Sequence, residues 1–107
     1  MSTIAFPRRA AASKLPPPPR HLERPERDLW RSIVQQRDFS QDGPRAALAT
    51  ALDAKARARR IREQINREGE TVTDRFGHQK PHPLLTAEIT AMAAFHRAMK
   101  LLGILDT

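Results

Sequence analysis

The sequence contains no cysteine, no tyrosine and only four glycines. Without cysteine, a disulfide or a thiolate zinc site is excluded. No apolar run approaches the ~20 residues that a membrane-spanning helix requires, so we expect no membrane partner. The glycine patterns GxxxxGK[ST] and GxGxxG are missing, and no serine has a nucleophile-like setting. These absences predict a protein that is not an enzyme and that binds no cofactor.

Histidine is the remaining common metal ligand, and His78 and His82 are four residues apart. That spacing aligns two ligands on a helix, but Pro81 would interrupt any helix between them. We therefore predict no metal site and assign turn or capping roles to both residues. His96, at the edge of an apolar stripe, is interpreted as a packed, hydrogen-bonded side chain rather than a catalytic one.

The 107 residues carry a net charge of +7, and the excess is concentrated in two regions, residues 1–24 and residues 40–69. Two separate basic regions predict a polyanionic partner, most simply double-stranded DNA. A basic surface that serves only solubility is the alternative, and the charge alone leaves it open.

The candidate DNA-binding residues form two sets, and each set is an independent candidate for the DNA contact. The first belongs to an N-terminal arm and comprises Arg8, Arg9, Lys14, Arg20 and Arg24. The second, which we call the basic run, comprises Lys55, Arg57, Arg59, Arg60 and Arg62. Ion pairing with Glu63, Glu68 or the acids of a neighbouring subunit is the competing interpretation of the basic run.

Proline, glycine and apolar periodicity divide the chain into elements. Residues 1–22 are predicted to be a disordered, basic, proline-rich arm. Residues 23–105 are predicted to be a helical oligomerisation domain, with helices at about 25–38, 43–68 and 83–103 and a β-ribbon at about 70–81. The fold class is all-α: an antiparallel helical hairpin with a short N-terminal helix and a small ribbon at its elbow.

The two long helices share a seven-residue apolar rhythm. In the second helix the seam is Ala47, Ala51, Ala54, Ala58, Ile61 and Ile65, and in the third it is Ala87, Ala91, Ala94, Ala98, Leu101 and Leu105. In an antiparallel hairpin, the large residues of each seam face the small residues of the other. That pairing favours close packing of the two helices.

Both helices also carry apolar residues outside these seams, more than one hairpin can bury. We predict an oligomer interface made of these residues together with Trp30 of the first helix: Trp30, Leu48, Leu52, Leu85, Ile89, Met92, Phe95 and Met99. Small chains often gain stability by self-association, which favours this interpretation. A self-contained three-helix bundle is the alternative. Trp30 is interpreted as a core or interface anchor rather than as a base-stacking residue.

The connector Gly69–Pro83, GETVTDRFGHQKPHP, is the most distinctive segment of the chain. Thr71–Thr73 has strand propensity, Asp74–Gly77 is typical of a turn, and Phe76 is expected to contact the helices or a neighbouring chain. With the flanking ARARRIREQINRE and PLLTAEITAMAAFHRAMKLLGI, this segment resembles the small terminase subunit of tailed phages. Similar proteins occur in phage-like gene-transfer particles.

The resemblance implies a DNA-packaging factor of the host bacterial cytoplasm. Proteins of this family form homo-oligomeric rings, engage DNA and recruit or modulate the large terminase subunit, which carries the ATPase and nuclease. Many members carry an N-terminal helix-turn-helix domain, whereas only about 24 residues precede the first helix here. We therefore expect weak DNA binding of little sequence specificity. A helical adaptor that binds no nucleic acid is the alternative, and a small transcription factor is a third possibility.

Overall fold

The computed structural model describes residues 15–104 of the chain. Three helices and a two-stranded antiparallel sheet follow in the order α1 (Arg24–Gln36), α2 (Asp42–Glu68), β1 (Thr71–Thr73), β2 (Gln79–Pro81) and α3 (Leu85–Leu101). This mostly helical architecture with one small ribbon agrees with the fold class predicted from the sequence.

The start of α2 differs from the sequence prediction by one residue. Gln41, with an extended backbone, is the N-cap, and Asp42 is the first helical residue, whereas the sequence predicts a start at about residue 43. Asp42 still stabilises this end, because its carboxylate lies at the positive end of the helix dipole. It also forms an ion pair with Arg45 one turn later.

The helices α2 and α3 pack along their length in opposite directions. Arg62 of α2 pairs with Glu88 near the start of α3. Further along, the Lys55 amine lies 5.9 Å from the centre of the Phe95 ring. At the other end, Ala47 lines one depression together with residues from the end of α3. The contacts therefore pair in reverse order, as an antiparallel hairpin requires.

The helix α1 covers one face of this hairpin. It buries three apolar side chains, Trp30, Ile33 and Val34, against the hairpin core. The hairpin contributes to the same cluster Leu48, Ala51, Leu52, Phe95 and Met99. The single chain therefore has a continuous core of its own.

The segment that joins α2 to α3, residues 69–84, is called the elbow here. Its central residue is His82, a polar residue whose side chain is buried. The amide of Leu84 donates to His82 Nδ1 at 3.0 Å, so Nε2 is the nitrogen that donates to Glu68 Oε1 at 2.6 Å. The His82 amide donates to the Glu70 carbonyl at 2.8 Å. The bonds around His82 thus join the end of α2 to the start of α3.

The third helix is shorter than predicted, since it begins at Leu85 and ends at Leu101. Pro83 and Leu84 form a turn, in which the Leu85 amide donates to the His82 carbonyl at 3.1 Å. At the other end, the amides of Gly103 and Ile104 donate to the carbonyls of Lys100 and Met99. This is the Schellman pattern, which satisfies the last carbonyls of the helix and folds Ile104 back against the core.

The proline-rich segment just before α1 differs from the predicted solvated arm. We call residues 15–22 the lead-in. The indole nitrogen of Trp30 donates to the Pro16 carbonyl at 2.9 Å, and Leu22 is buried. Because a polyproline backbone leaves its carbonyls free, the buried indole finds its acceptor there. The remaining arm residues lie outside the described part of the chain.

Candidate nucleic-acid interface

The five side chains of the basic run point in different directions, because successive helical residues are ~100° apart. Arg59 and Arg62 turn toward the rest of the chain and contact carboxylates. Arg57 and Arg60 are exposed. Lys55 is partly buried, with its amine over the Phe95 ring. The predicted binding site is therefore divided between structural and surface positions.

Arg59 lies between α1 and α2 and contacts three carboxylates. Its guanidinium donates to both oxygens of Glu26, at 2.9 and 3.0 Å, and also contacts Glu23 and Glu63. Glu26 is only 1% exposed, so Arg59 is what compensates its buried charge. The hydrogen bonds that it donates to Glu26 and, with a smaller effect, to Glu23 raise the pKa of the arginine further above its ordinary value.

Arg62 makes the corresponding connection between α2 and α3. Two of its nitrogens contact the two oxygens of Glu88 at 2.7 and 2.6 Å, and a third contact reaches Glu70 at 3.1 Å. This two-point geometry is the strongest that arginine makes with a carboxylate. The hydrogen bond from Arg62 lowers the pKa of Glu88. Arg62 thus holds the hairpin closed near the elbow.

Arg57 and Arg60 remain as the exposed cations of the basic run. Within residues 15–104, Arg57 makes no ion pair, and Arg60 makes a single exposed contact of 3.4 Å with Glu23. Both line an open groove that is formed by α2 and α3 and bordered by His21 and Leu22 of the lead-in. The two guanidinium groups are therefore available to phosphates.

The arm candidates are only partly described. Arg20 and Arg24 are exposed in the lead-in and the first turn of α1. Glu23, beside Arg24, contacts Arg60, so this part of the arm lies near the exposed end of the basic run. Arg8, Arg9 and Lys14 lie outside the described residues.

The groove itself has a volume of about 1130 Å³. Small side chains from both seams line it, together with larger apolar residues: Ala54, Ala87, Ala91, Ala94, Leu22 and Ile61. The polar lining includes His21, Asp53 and Gln64. His21 and Asp53 contact each other at 2.6 Å. Paired small residues thus leave a concave surface where the sequence pattern predicts close packing.

Most of the predicted oligomer-interface residues are already buried within the chain. Five of the eight belong to the core cluster: Trp30, Leu48, Leu52, Phe95 and Met99. They are covered because α1 lies on this face of the hairpin. Leu85 and Met92 are partly buried, whereas Ile89 is 68% exposed. Two large apolar side chains of α3 are therefore exposed, Ile89 near its start and Leu101 at its end.

The turn of the β-ribbon, residues 74–78, is called the ribbon tip. Phe76 at this tip does not pack on the helices of its own chain, since it is 70% exposed. Contact with a neighbouring chain, the other expectation for Phe76, stays a prediction. The Phe76 ring contacts its own neighbours, with the Arg75 guanidinium carbon 5.1 Å from the ring centre. The short strands hold the tip away from the apolar core, and a turn sequence gives no signal for this direction.

Neither a metal site nor a membrane span is evident in residues 15–104. No three histidine or carboxylate side chains there are grouped so as to hold a metal ion. No helix in the same part of the chain combines the length and apolar character needed to cross a bilayer.

These features define a small helical protein with charged and apolar contact surfaces. The family model described as phage terminase, small subunit, matches residues 27–104. The chain therefore belongs to the phage terminase small subunit family. Comparisons with curated proteins and with solved structures found no match.

Proposed function

We propose that this chain is the small terminase subunit of a packaging system: a non-catalytic factor that self-assembles into a ring, engages DNA and recruits or modulates the large terminase subunit. The family membership carries this proposal. A tailed phage and a phage-like gene-transfer particle are both compatible sources, and in either case the protein acts in the cytoplasm of the host bacterium.

DNA binding is proposed for Arg57 and Arg60, together with Arg20, Arg24 and the arm residues before them. Arg57 and Arg60 are supported by their exposure and by the lack of strong carboxylate partners. Arg59 and Arg62, by contrast, are held by buried or two-point ion pairs within the chain. We assign those two a structural role and the exposed pair the phosphate contacts.

We expect low sequence specificity because the start of α2, the helix surface that would have to read the bases, has few side chains suited to that role. The start of α2 offers mainly alanines, whose methyl groups read little of a base edge. Arg45, the one long side chain there, is engaged by Asp42. Binding is therefore expected to be dominated by phosphates and to weaken as salt increases.

The test compares two double variants that each remove two positive charges. Arg57→Ala/Arg60→Ala is expected to weaken DNA binding and to reduce the salt slope, d log K/d log[salt], by about 2, since each lost phosphate contact contributes ~0.9. The control is Arg97→Ala/Lys100→Ala, at exposed positions near the end of α3. Fluorescence anisotropy with labelled duplex DNA from ~0.05 to 0.2 M salt measures both quantities.

Equal losses in the two double variants would mean that only net charge matters. An unchanged affinity and slope in the first variant would remove α2 from the DNA interface. Deletion of residues 1–14 in the same assay then measures the arm separately.

The helical adaptor stays the second candidate, and one observation favours it: much of the basic run is neutralised within the chain. An adaptor would co-purify with the large terminase subunit and leave duplex DNA unshifted at ~0.15 M salt, where the Debye length is ~8 Å. The proposed function requires both interactions, and the DNA interaction is the weaker one.

A further inference from the structure

The ribbon tip combines an exposed aromatic ring with an exposed arginine. Phe76 is 70% exposed, and the guanidinium carbon of Arg75 lies 5.1 Å from its ring centre. The rings of Phe76 and His78 lie 6.4 Å apart. Burying an exposed phenylalanine ring in an interface is favourable, because most of its apolar surface otherwise contacts water.

The tip is also rigid, owing to Asp74. One carboxylate oxygen of Asp74 accepts from the amides of Phe76 and His78 at 2.8 and 2.9 Å. The Asp74 carbonyl accepts from the Gly77 amide at 3.0 Å, and Gly77 has the positive φ of +82° that closes the turn. A side chain presented on a fixed turn loses little conformational entropy when it binds.

The charges around the tip favour a protein over a nucleic acid. Asp74 is negative and lies 3.5 Å from the amine of Lys80, so these two charges compensate each other. Arg75 is then the one uncompensated cation of the tip, whereas binding of DNA through its backbone needs several. Arginine and aromatic residues are, on the other hand, the types that dominate the energy of protein interfaces.

The groove of a neighbouring copy does not suit Phe76. The groove is lined from Thr50 to Gln64 of α2, along the middle of the hairpin. The ribbon projects from the end at which α2 stops. In a ring whose axis runs along the hairpin, rotation places equivalent residues at equal heights, so the tip of one copy does not face the groove of the next.

We propose that the ribbon tip is a binding site for a protein partner. Phe76 fills an apolar pocket of that partner, and Arg75 donates to a carboxylate at the pocket rim. The proposal rests on the proposed function, in which this partner is the large terminase subunit.

The experiment uses the full-length chain and the large terminase subunit, with affinity measured by titration calorimetry. Phe76→Ala is expected to weaken binding by about tenfold or more, and Arg75→Ala by about threefold to tenfold, as for interface anchors. Phe76→Tyr keeps the ring and is expected to bind within about threefold of the wild type. Thr71→Ala, an exposed change elsewhere on the ribbon, is the matched control.

The outcomes separate this inference from the proposed function. If the wild type binds the large subunit and Phe76→Ala binds equally well, the docking role is refuted while the proposed function stands. If the wild type does not bind it, both are refuted. If Phe76→Ala instead loses only DNA affinity or only self-assembly, the tip contacts nucleic acid or a second copy, and the protein-partner proposal is rejected.

Discussion

Arg59 and Arg62 illustrate how the role of a charge depends on the residues that fold against it. Both belong to a run of basic residues typical of a nucleic-acid surface, yet each lies against carboxylates from another element. The partner of Arg59, Glu26, is 33 positions away, and the partner of Arg62, Glu88, is 26 away. The sequence alone predicts only ion pairs between residues three or four positions apart on one helix, such as Arg59 with Glu63.

The buried carboxylate of Glu26 makes Arg59 the most sensitive position of the basic run. Arg59→Ala is expected to lower the free energy of unfolding by about 3 kcal/mol, because it leaves a buried charge without its partner. Arg57→Ala, two positions away and exposed, is expected to change it by less than about 0.5 kcal/mol. Urea unfolding followed by circular dichroism measures both.

A paired substitution distinguishes the charge from the packing of the same side chains. Glu26→Leu combined with Arg59→Met removes both charges and is expected to recover most of the stability lost in Arg59→Ala. A double variant as unstable as Arg59→Ala would assign the effect to lost packing instead.

At the scale of elements, the sequence predicts the helices better than it predicts which faces meet. Pro25, Pro44 and Gly69 mark helix ends that agree with the structure within about two residues, as is usual for boundaries. The sequence gives no signal for the packing of the lead-in, because the acceptor of the Trp30 indole is a backbone carbonyl 14 residues earlier. Apolar stripes show that a face is buried, but not whether α1 or a second chain covers it.

Gly69 ends α2 with a φ of +89° and a ψ of 154°, a region that is essentially restricted to glycine. Gly69→Ala is expected to destabilise the chain by about 1–3 kcal/mol. The added methyl group itself meets only ordinary contacts, the nearest being the Thr71 carbonyl oxygen at 3.6 Å. The cost therefore reflects the backbone rather than a steric clash.

Gly43→Ala provides the matched control, again measured by thermal or urea unfolding. Gly43 lies in the first turn of α2, and a Cβ there meets nothing within 4 Å. Alanine has the higher helix propensity, but Pro44 follows and disfavours helical backbone at this position for a residue with a Cβ. Because these two effects oppose each other, the change is expected to be within about 1 kcal/mol of neutral. Equal destabilisation by both variants would contradict the assignment of Gly69 as a backbone-restricted helix end.

For the whole molecule, a ring requires two different surfaces that meet when copies are rotated about one axis. We propose the exposed face of α3 around Ile89 and the groove between α2 and α3 as this pair. Ile89 lies between Ala87 and Ala91, which line the groove, so both surfaces are at the same height along the hairpin. In this arrangement, the Ile89 side chain of one copy would pack into the alanine-lined groove of the next.

Ile89→Glu is expected to shift the proposed ring toward the 12.1 kDa single chain, because it places a charge in the proposed contact, where burial would remove it from water. Gln35→Glu, an exposed position on α1, adds the same charge elsewhere and is expected to leave the mass unchanged. Light scattering coupled to gel filtration measures the mass, and circular dichroism verifies the helices. An Ile89→Glu protein with the wild-type mass would place the subunit contact on another surface.

The buried indole of Trp30 also gives the protein a built-in optical reporter. The chain has one tryptophan and no tyrosine, so near-ultraviolet emission excited at the indole band comes from a single position. That position joins α1, the hairpin core and the carbonyl of Pro16. A change in the emission wavelength of Trp30 therefore reports whether the lead-in is packed against the indole, and no added label is needed.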